Sequence, residues 1–286
     1  IADDASTDGT KEWVQSIIDS GEDACLKLHI NKGPERLGLT ILYDLLVNDY
    51  STHDIVMFFH SDMYLCPHAD EMIDKYLEPG KVVSLTRIEP PLHPEGPEKL
   101  VEDFGMEPEE FKEKKLLKYV EEFRKGVNGR DITTGIFAPW ALYKKDFQEI
   151  GGHDVLFTPQ SKEDSDIFNR MHLKGYEFIQ TWRGFVYHMT SRGSRFNPMA
   201  GGAPGKDSPE WQHTTTKNMR NFIRKWGTMV QHDQHMKPIV SPKYNIGFVV
   251  ENCDTHILKQ LEPWCSNIYG DWVGHKGFGV KYTHNI

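Results

Sequence analysis

Four short polar clusters in this chain have residue types and spacing that could do chemistry, and each borders an apolar run. In Phe58-Phe59-His60-Ser61-Asp62-Met63, polar residues emerge directly from a run that reads as a buried strand. That exit places Asp62 at the carboxyl edge of a sheet, where a carboxylate can hold Mg²⁺ or Mn²⁺ against a diphosphate. Taken alone, the same triplet fits an ordinary turn. Lys162-Glu163-Asp164-Ser165-Asp166 opens a helix that runs to about Lys174. Acids gain from the dipole at a helix start, so capping is the plain account. These acids exceed what one cap needs, and a helix start aims Asp164 outward, where it can take a proton from a hydroxyl. In Val186-Tyr187-His188-Met189-Thr190-Ser191-Arg192-Gly193-Ser194-Arg195, His188 ends a strand and can offer imidazole to a divalent cation. Arg192 and Arg195 on the following glycine-containing loop suit a pyrophosphate. Asp3-Asp4 and Asp8 stand at a strand-to-helix turn, the place where ligands sit in open α/β sheets. A carboxylate there can accept the imide N–H of uracil or thymine, or the N1–H and N2–H of guanine. An Asx turn followed by a helix cap explains the same spacing.

Positioning these clusters requires alternating strands and helices. Strands are expected at Leu26–Ile30, Asp54–Phe59, Lys81–Arg87, Phe178–Gln180 and Gly184–Met189. Helices are expected from Trp13 to Ile18, Leu39 to Leu46, Pro108 to Lys125 and Lys162 to Lys174, and after Ser208-Pro209. Alternation of this kind predicts an open, mostly parallel α/β sheet flanked by helices. The prolines and mixed charges of residues 88–130 read as an insertion on the rim of that sheet.

Composition narrows the function classes. The 286 residues carry a formal charge of −9, which argues against a general nucleic-acid surface. A phosphorylated ligand would then need a cation or a few placed arginines and lysines. Cys25, Cys66, Cys253 and Cys265 form no metal-binding pattern and read as reduced thiols of a cytoplasmic protein. No apolar run is long enough to span a bilayer.

Together the clusters resemble the family-2 glycosyltransferases. ADDASTDGT is similar to that family's first strand-turn signature, HSD stands in the place of its DxD motif, and KEDSDIFNRMHLKGY, preceded by GGHDVLF, resembles its ED-containing helix. HMTSRGSR resembles the segment where members carry a metal-binding histidine, and the matches run in order over residues 1 to about 200. The resemblance implies a GT-A (Rossmann-like) domain over residues 1–205 with the 88–130 insertion, then a helical extension over 206–238. Residues 239–286 would begin a second α/β unit, truncated at the end. The family's opening strand and helix, one wall of the base pocket, have no counterpart here, so the domain is expected to be incomplete at its start.

Carried over residue by residue, the resemblance puts Asp4 on the nucleotide base, with Arg36, Ser61, Arg192 and Arg195 on the rest of the donor. Asp62 and His188 become metal ligands for Mn²⁺ or Mg²⁺. Asp164 becomes the general base of an inverting transfer, with Glu163 positioning acceptor or base. The implied partners are a UDP-, GDP- or dTDP-sugar donor and a glycan or other hydroxyl acceptor, at a cytoplasmic site that could include the inner face of a membrane. His60 departs from the family's acid and is expected to weaken metal binding or to replace a water-mediated contact. Two other readings compete: a catalytically impaired nucleotide- or glycan-binding relic, and a sugar nucleotidyltransferase. The latter would need a Gly-rich basic phosphate loop, which the chain lacks. Asp166 is expected to act only as a helix-terminus acid, worth about 0.3–1 kcal/mol.

Overall fold

The computed structural model describes residues 1–126, 131–190, 195–196, 201–203, 205–272 and 275–281. At the start, β1 (Ala2–Asp4) and β2 (His29–Asn31) pair in parallel, with Asp4 opposite Asn31. Between them lies α1 (Thr10–Ser20), which ends where Gly21 turns left-handed and donates its N–H to Ile18. Of the apolar stripe on α1, Val14 is buried and Trp13 is exposed.

The central sheet is built from β3 (Ile55–Phe58), β4 (Met63–Leu65), β5 (Lys81–Glu89), β6 (Lys99–Val101), β7 (Ile132–Thr133), β8 (Trp140–Tyr143) and β9 (Glu177–His188). Its order is β3-β8-β5-β9-β4, with β6 also beside β5 and β7 beside β9. The sheet is mixed, which corrects the expectation of a mostly parallel one. β5 runs parallel to β9 and β6, whereas β3 with β8, β8 with β5, β4 with β9 and β7 with β9 are antiparallel. An apolar strand buried on both faces reads alike in either direction, so the sequence carried no sign of this.

β9 was expected as two strands and is one, with an irregularity at its middle. Its partner on β5 jumps from Leu85 opposite Thr181 to Thr86 opposite Phe185. The polar residues that interrupt the apolar pattern are absorbed in that bulge. There the Trp182 indole donates to Thr133 Oγ1 at 3.1 Å, and Arg183 Nε donates to Asp131 at 2.9 Å.

Helices α2 (Leu39–Leu45), α3 (Ala69–Tyr76), α4 (Glu113–Gly126), α5 (Lys144–Ile150) and α6 (Glu163–Leu173) pack around the sheet. One core cluster gathers Phe58, Trp140, Phe147, Ile167 and Met171; another gathers Val83, Leu85, Ala141 and Val186 beneath α3. The insertion packs inward as well. Leu116 and Val120 of α4 join Phe104, Phe185 and Tyr187 in a third cluster, and the outward face carries exposed pairs such as Lys125–Glu121.

α7 (Pro209–Trp226) begins at Ser208, whose hydroxyl accepts the Trp211 N–H at 3.1 Å. Buried Asn218 donates to the carbonyls of Phe157 and Gln160, both at 2.7 Å, and so braces the approach to α6. Beyond it, β10 (Gly247–Cys253), β11 (Asn267–Trp272) and β12 (His275–Lys281) form a three-stranded sheet, with α8 (Thr255–Leu261) between β10 and β11 in the chain. Arg220 and Arg224 of α7 pair with Glu262 and tie that unit to α7. All four cysteines are free thiols. Among the described residues no helix is long and apolar enough to cross a membrane.

Candidate functional site

The site begins where β3 ends. Residues 59–62 carry the chain from β3, beside β8, to β4, beside β9, and so cross the sheet. Pairing of β4 with β9 sets Met63 opposite His188, and the Met189 N–H donates to the Asp62 carbonyl at 2.9 Å. These constraints bring His60, Asp62 and His188 together, with a ligand atom of each within 4.8 Å of the others. That span is roughly twice a metal–ligand bond. His188 Nε2 lies 3.4 Å from Asp62 Oδ2, and its ring meets that of His60 edge-on at 6.1 Å.

The histidines differ in charge preference. Burial lowers the pKa of His60 despite the nearby acids Asp164 and Asp62, so its imidazole stays neutral with a lone pair to offer. Burial would lower His188 too, but its hydrogen bonds to Asp62 and Glu89 outweigh that and raise it. Asp62 is partly buried, which by itself would raise its carboxyl, yet the hydrogen bond and charge of His188 hold it below the usual range. The sequence leaves open whether His60 weakens a metal site or replaces a water-mediated contact; in the structure its ring lies among three side chains that could hold a metal ion.

The second half of the site comes from α6. Ser161 and Lys162, at φ 77° and 76°, are consecutive non-glycine residues in the left-handed region, a turn that tertiary contacts must hold. The turn delivers Glu163 and Asp164 to a cavity of about 260 Å³. Glu163 is buried, and its Oε2 has no hydrogen-bond partner among the described residues. Burial, followed by the charge of Asp164, pushes its carboxyl up to about 8. Tyr43 links the two halves. Burial and then the charges of Asp164, Glu163 and Asp62 drive its hydroxyl far above the ordinary tyrosine value, and its ring stacks 6.4 Å from that of His60.

Sequence reasoning missed the far wall of this cavity. Gln231, His232 and Met236, from the segment after α7, face Phe137, Glu163 and Asp164 across it. Asp233 Oδ1 accepts the N–H groups of His235 and Lys237 at 2.8 and 3.0 Å and shapes that segment. It approaches so closely that a Cβ on Gly135 would lie 2.0 Å from the His235 carbonyl. Contacts of this range leave no local pattern in a sequence.

The donor-side candidates are placed as follows. Asp4 accepts the Leu37 and Gly38 N–H groups at 2.8 and 2.9 Å and the Asn31 amide at 2.8 Å, so it organises the loop that carries exposed Arg36. Ser61 is exposed beside Asp62. The sequence places Arg195 on a loop suited to pyrophosphate. Its Nε donates to Asp207 at 2.6 Å, and its guanidinium lies 4.5 Å from the centre of the Trp211 ring. Arg192 lies outside the described residues.

Asp166 corrects an expectation. It is wholly buried, accepting from Trp226 Nε1 at 2.9 Å, Arg170 Nε at 2.9 Å and Lys225 Nζ at 2.6 Å. It lies two positions beyond Asp164, about 200° further round the helix, and so faces the interior while Asp164 lines the cavity.

No family model matches this chain, and no curated protein matches it. Among solved structures it is similar to the crystal structure of GalNAc-T7 with UDP, GalNAc and Mn²⁺, at 10% identity and a TM-score of 0.47. The match covers 79% of this chain and 44% of that one, so this chain spans less than half the length of that protein.

Proposed function

We propose that this protein is a glycosyltransferase of the GT-A type, moving a sugar from a nucleotide carrier to a hydroxyl acceptor with inversion. The observation that carries the reading is the convergence of a His60–Asp62–His188 cluster with Asp164 near one end of the sheet. A cluster that could ligate a metal and an outward acid beside a cavity are the parts such a transfer requires.

The donor set fits a divalent ion. Two imidazoles and a carboxylate favour Mn²⁺ over Mg²⁺, which prefers oxygen ligands and retained water. Bound there, the ion would supply positive charge against the diphosphate leaving group. Asp164 takes the acceptor proton as the hydroxyl oxygen attacks the anomeric carbon from the side opposite the departing nucleoside diphosphate. The new C–O bond forms as the old one breaks, and the bond electrons leave with the diphosphate. Burial and the charge of Asp164 push the Glu163 carboxyl up to about 8, which disfavours a second negative charge beside the base. On the donor side, we assign Asp4 to the base, Arg36, Arg192 and Arg195 to the phosphates, and Ser61 to the nucleotide. The donor is a UDP-, GDP- or dTDP-sugar and the acceptor a glycan or other hydroxyl compound.

A thermal-shift panel of UDP, GDP and dTDP, each with Mn²⁺ and with EDTA, tests the reading. One nucleotide should raise Tm with Mn²⁺ and lose most of that effect in EDTA. No shift with any of them would refute it.

A further inference from the structure

The metal-ligand candidates do not stand alone, and a network of buried charged side chains lies behind His188. His188 Nδ1 is 2.7 Å from Oε1 of Glu89, the last residue of β5. Glu89 is 1% exposed. Its Oε1 also receives Arg87 NH1 at 3.1 Å, and its Oε2 receives Lys99 Nζ at 2.8 Å. Arg87 in turn pairs with Glu98 at 3.0 Å and lies 3.8 Å from the centre of the Phe137 ring. Arg87, Glu98 and Lys99 are all buried. Burying four charged side chains carries a large desolvation cost, and their mutual pairing repays only part of it.

We infer that Glu89, clamped between Arg87 and Lys99, is a positioning residue that fixes the His188 ring and directs its Nε2 toward the ion. An ionised carboxylate can only accept, so the Nδ1 facing it must carry a proton. In the neutral ring the lone pair is thereby confined to Nε2, the nitrogen that faces Asp62. A carboxylate behind a ligating histidine raises its basicity and holds its orientation. Lys99 reaches Glu89 from β6, so the segment read from sequence as a rim insertion supplies part of the support for the site.

This inference rests on the metal reading given above, and the experiment separates the two. Mn²⁺ binding to the whole chain is measured from the electron paramagnetic resonance signal of the free ion. The variants are Asp62→Asn, Glu89→Gln and the charge-balanced pair Glu89→Gln with Lys99→Met, which keeps the test usable if the single change does not fold. An amide fills the same space as the carboxylate, so a packing role alone would leave affinity unchanged. Glu89→Gln, or the pair, is expected to weaken Mn²⁺ binding by roughly 10–100-fold. Nitrogen NMR of the metal-free protein, with His188 neutral, should find the proton on Nδ1 in the parent and shared between both nitrogens in the variant. Parent-like affinity in a folded Glu89 variant would overturn the inference, provided Asp62→Asn binds weakly. Parent-like affinity in Asp62→Asn would instead remove the metal site itself.

Discussion

Lys225 Nζ lies 2.6 Å from Oδ1 of Asp166, a carboxylate with no exposure to solvent. The pair fastens the end of α7 to the first turn of α6, and the Trp226 indole donates to the same oxygen. Asp154, which also accepts from Lys225 at 2.6 Å, extends the tie to the segment before α6. The helix that presents Asp164 is therefore held from behind by the element that leads into the far wall of the cavity.

Asp166→Asn should accordingly destabilise the protein by about 3 kcal/mol, the lower part of the range for breaking a buried ion pair, because Lys225 and Arg170 keep some access to water. Urea denaturation of parent and variant measures this. A loss under about 1 kcal/mol would return Asp166 to the role of a simple helix-terminus acid.

Asp164→Asn should behave in the opposite way. Turnover is expected to fall by roughly 10²–10⁴-fold, the usual worth of a general base, while nucleotide affinity and Tm stay near parent values. Release of nucleoside diphosphate, followed with the donor identified in the thermal-shift panel, provides the rate. Intact turnover would exclude the base assignment.

Nucleotide and Mn²⁺ should bind cooperatively, which calorimetry in Mn²⁺ and in EDTA would register as unequal affinities. Ligation requires His188 to give up its Nε2 proton, so Mn²⁺ affinity should rise as pH climbs through its raised pKa. Replacing His60 by Asp exchanges an imidazole for a hard oxygen donor and should move preference toward Mg²⁺. An unchanged Mn²⁺/Mg²⁺ ratio in that variant would take His60 out of the ligand set.

Glu163 makes a stability prediction with a definite sign. Its carboxyl is pushed up to about 8 in the folded chain, above the ordinary value of 4.5, so between those limits the folded state holds a proton that the unfolded state has lost. Stability from this group therefore falls as pH rises from about 4.5 toward about 8 and levels off beyond. Glu163→Gln, which cannot ionise, should gain on the parent across that window. Urea midpoints at pH 5.5, 7 and 8.5 that run parallel for the two proteins would show that Glu163 is not held protonated.

Much of this protein was legible in the residues themselves. The apolar run at Asp54–Phe59, the acid-rich helix start at Lys162 and the strand ending in His188 all exist, because burial patterning and helix-start chemistry are local properties. The same locality explains why His60 read as a defect. Judged beside Asp62 alone it is a poor substitute for an acid, and the cluster that could hold an ion also needs His188, which lies far along the chain. Strand direction, the bulge in β9, the burial of Asp166 and the clamp of Arg87 and Lys99 on Glu89 were decided only in three dimensions. Arg87 and Glu89 did leave a faint trace, two opposite charges on the same face of a strand that is otherwise buried along most of its length. Besides each other, their partners are Glu98, Lys99 and His188, and no pattern within one strand can encode which other segment will neutralise a buried charge. The sequence thus determined which residue types are present that could serve a metal, a base or a phosphate. Tertiary packing decided which of them share a site, because desolvation and ion pairing depend on separation in space and not on separation along the chain.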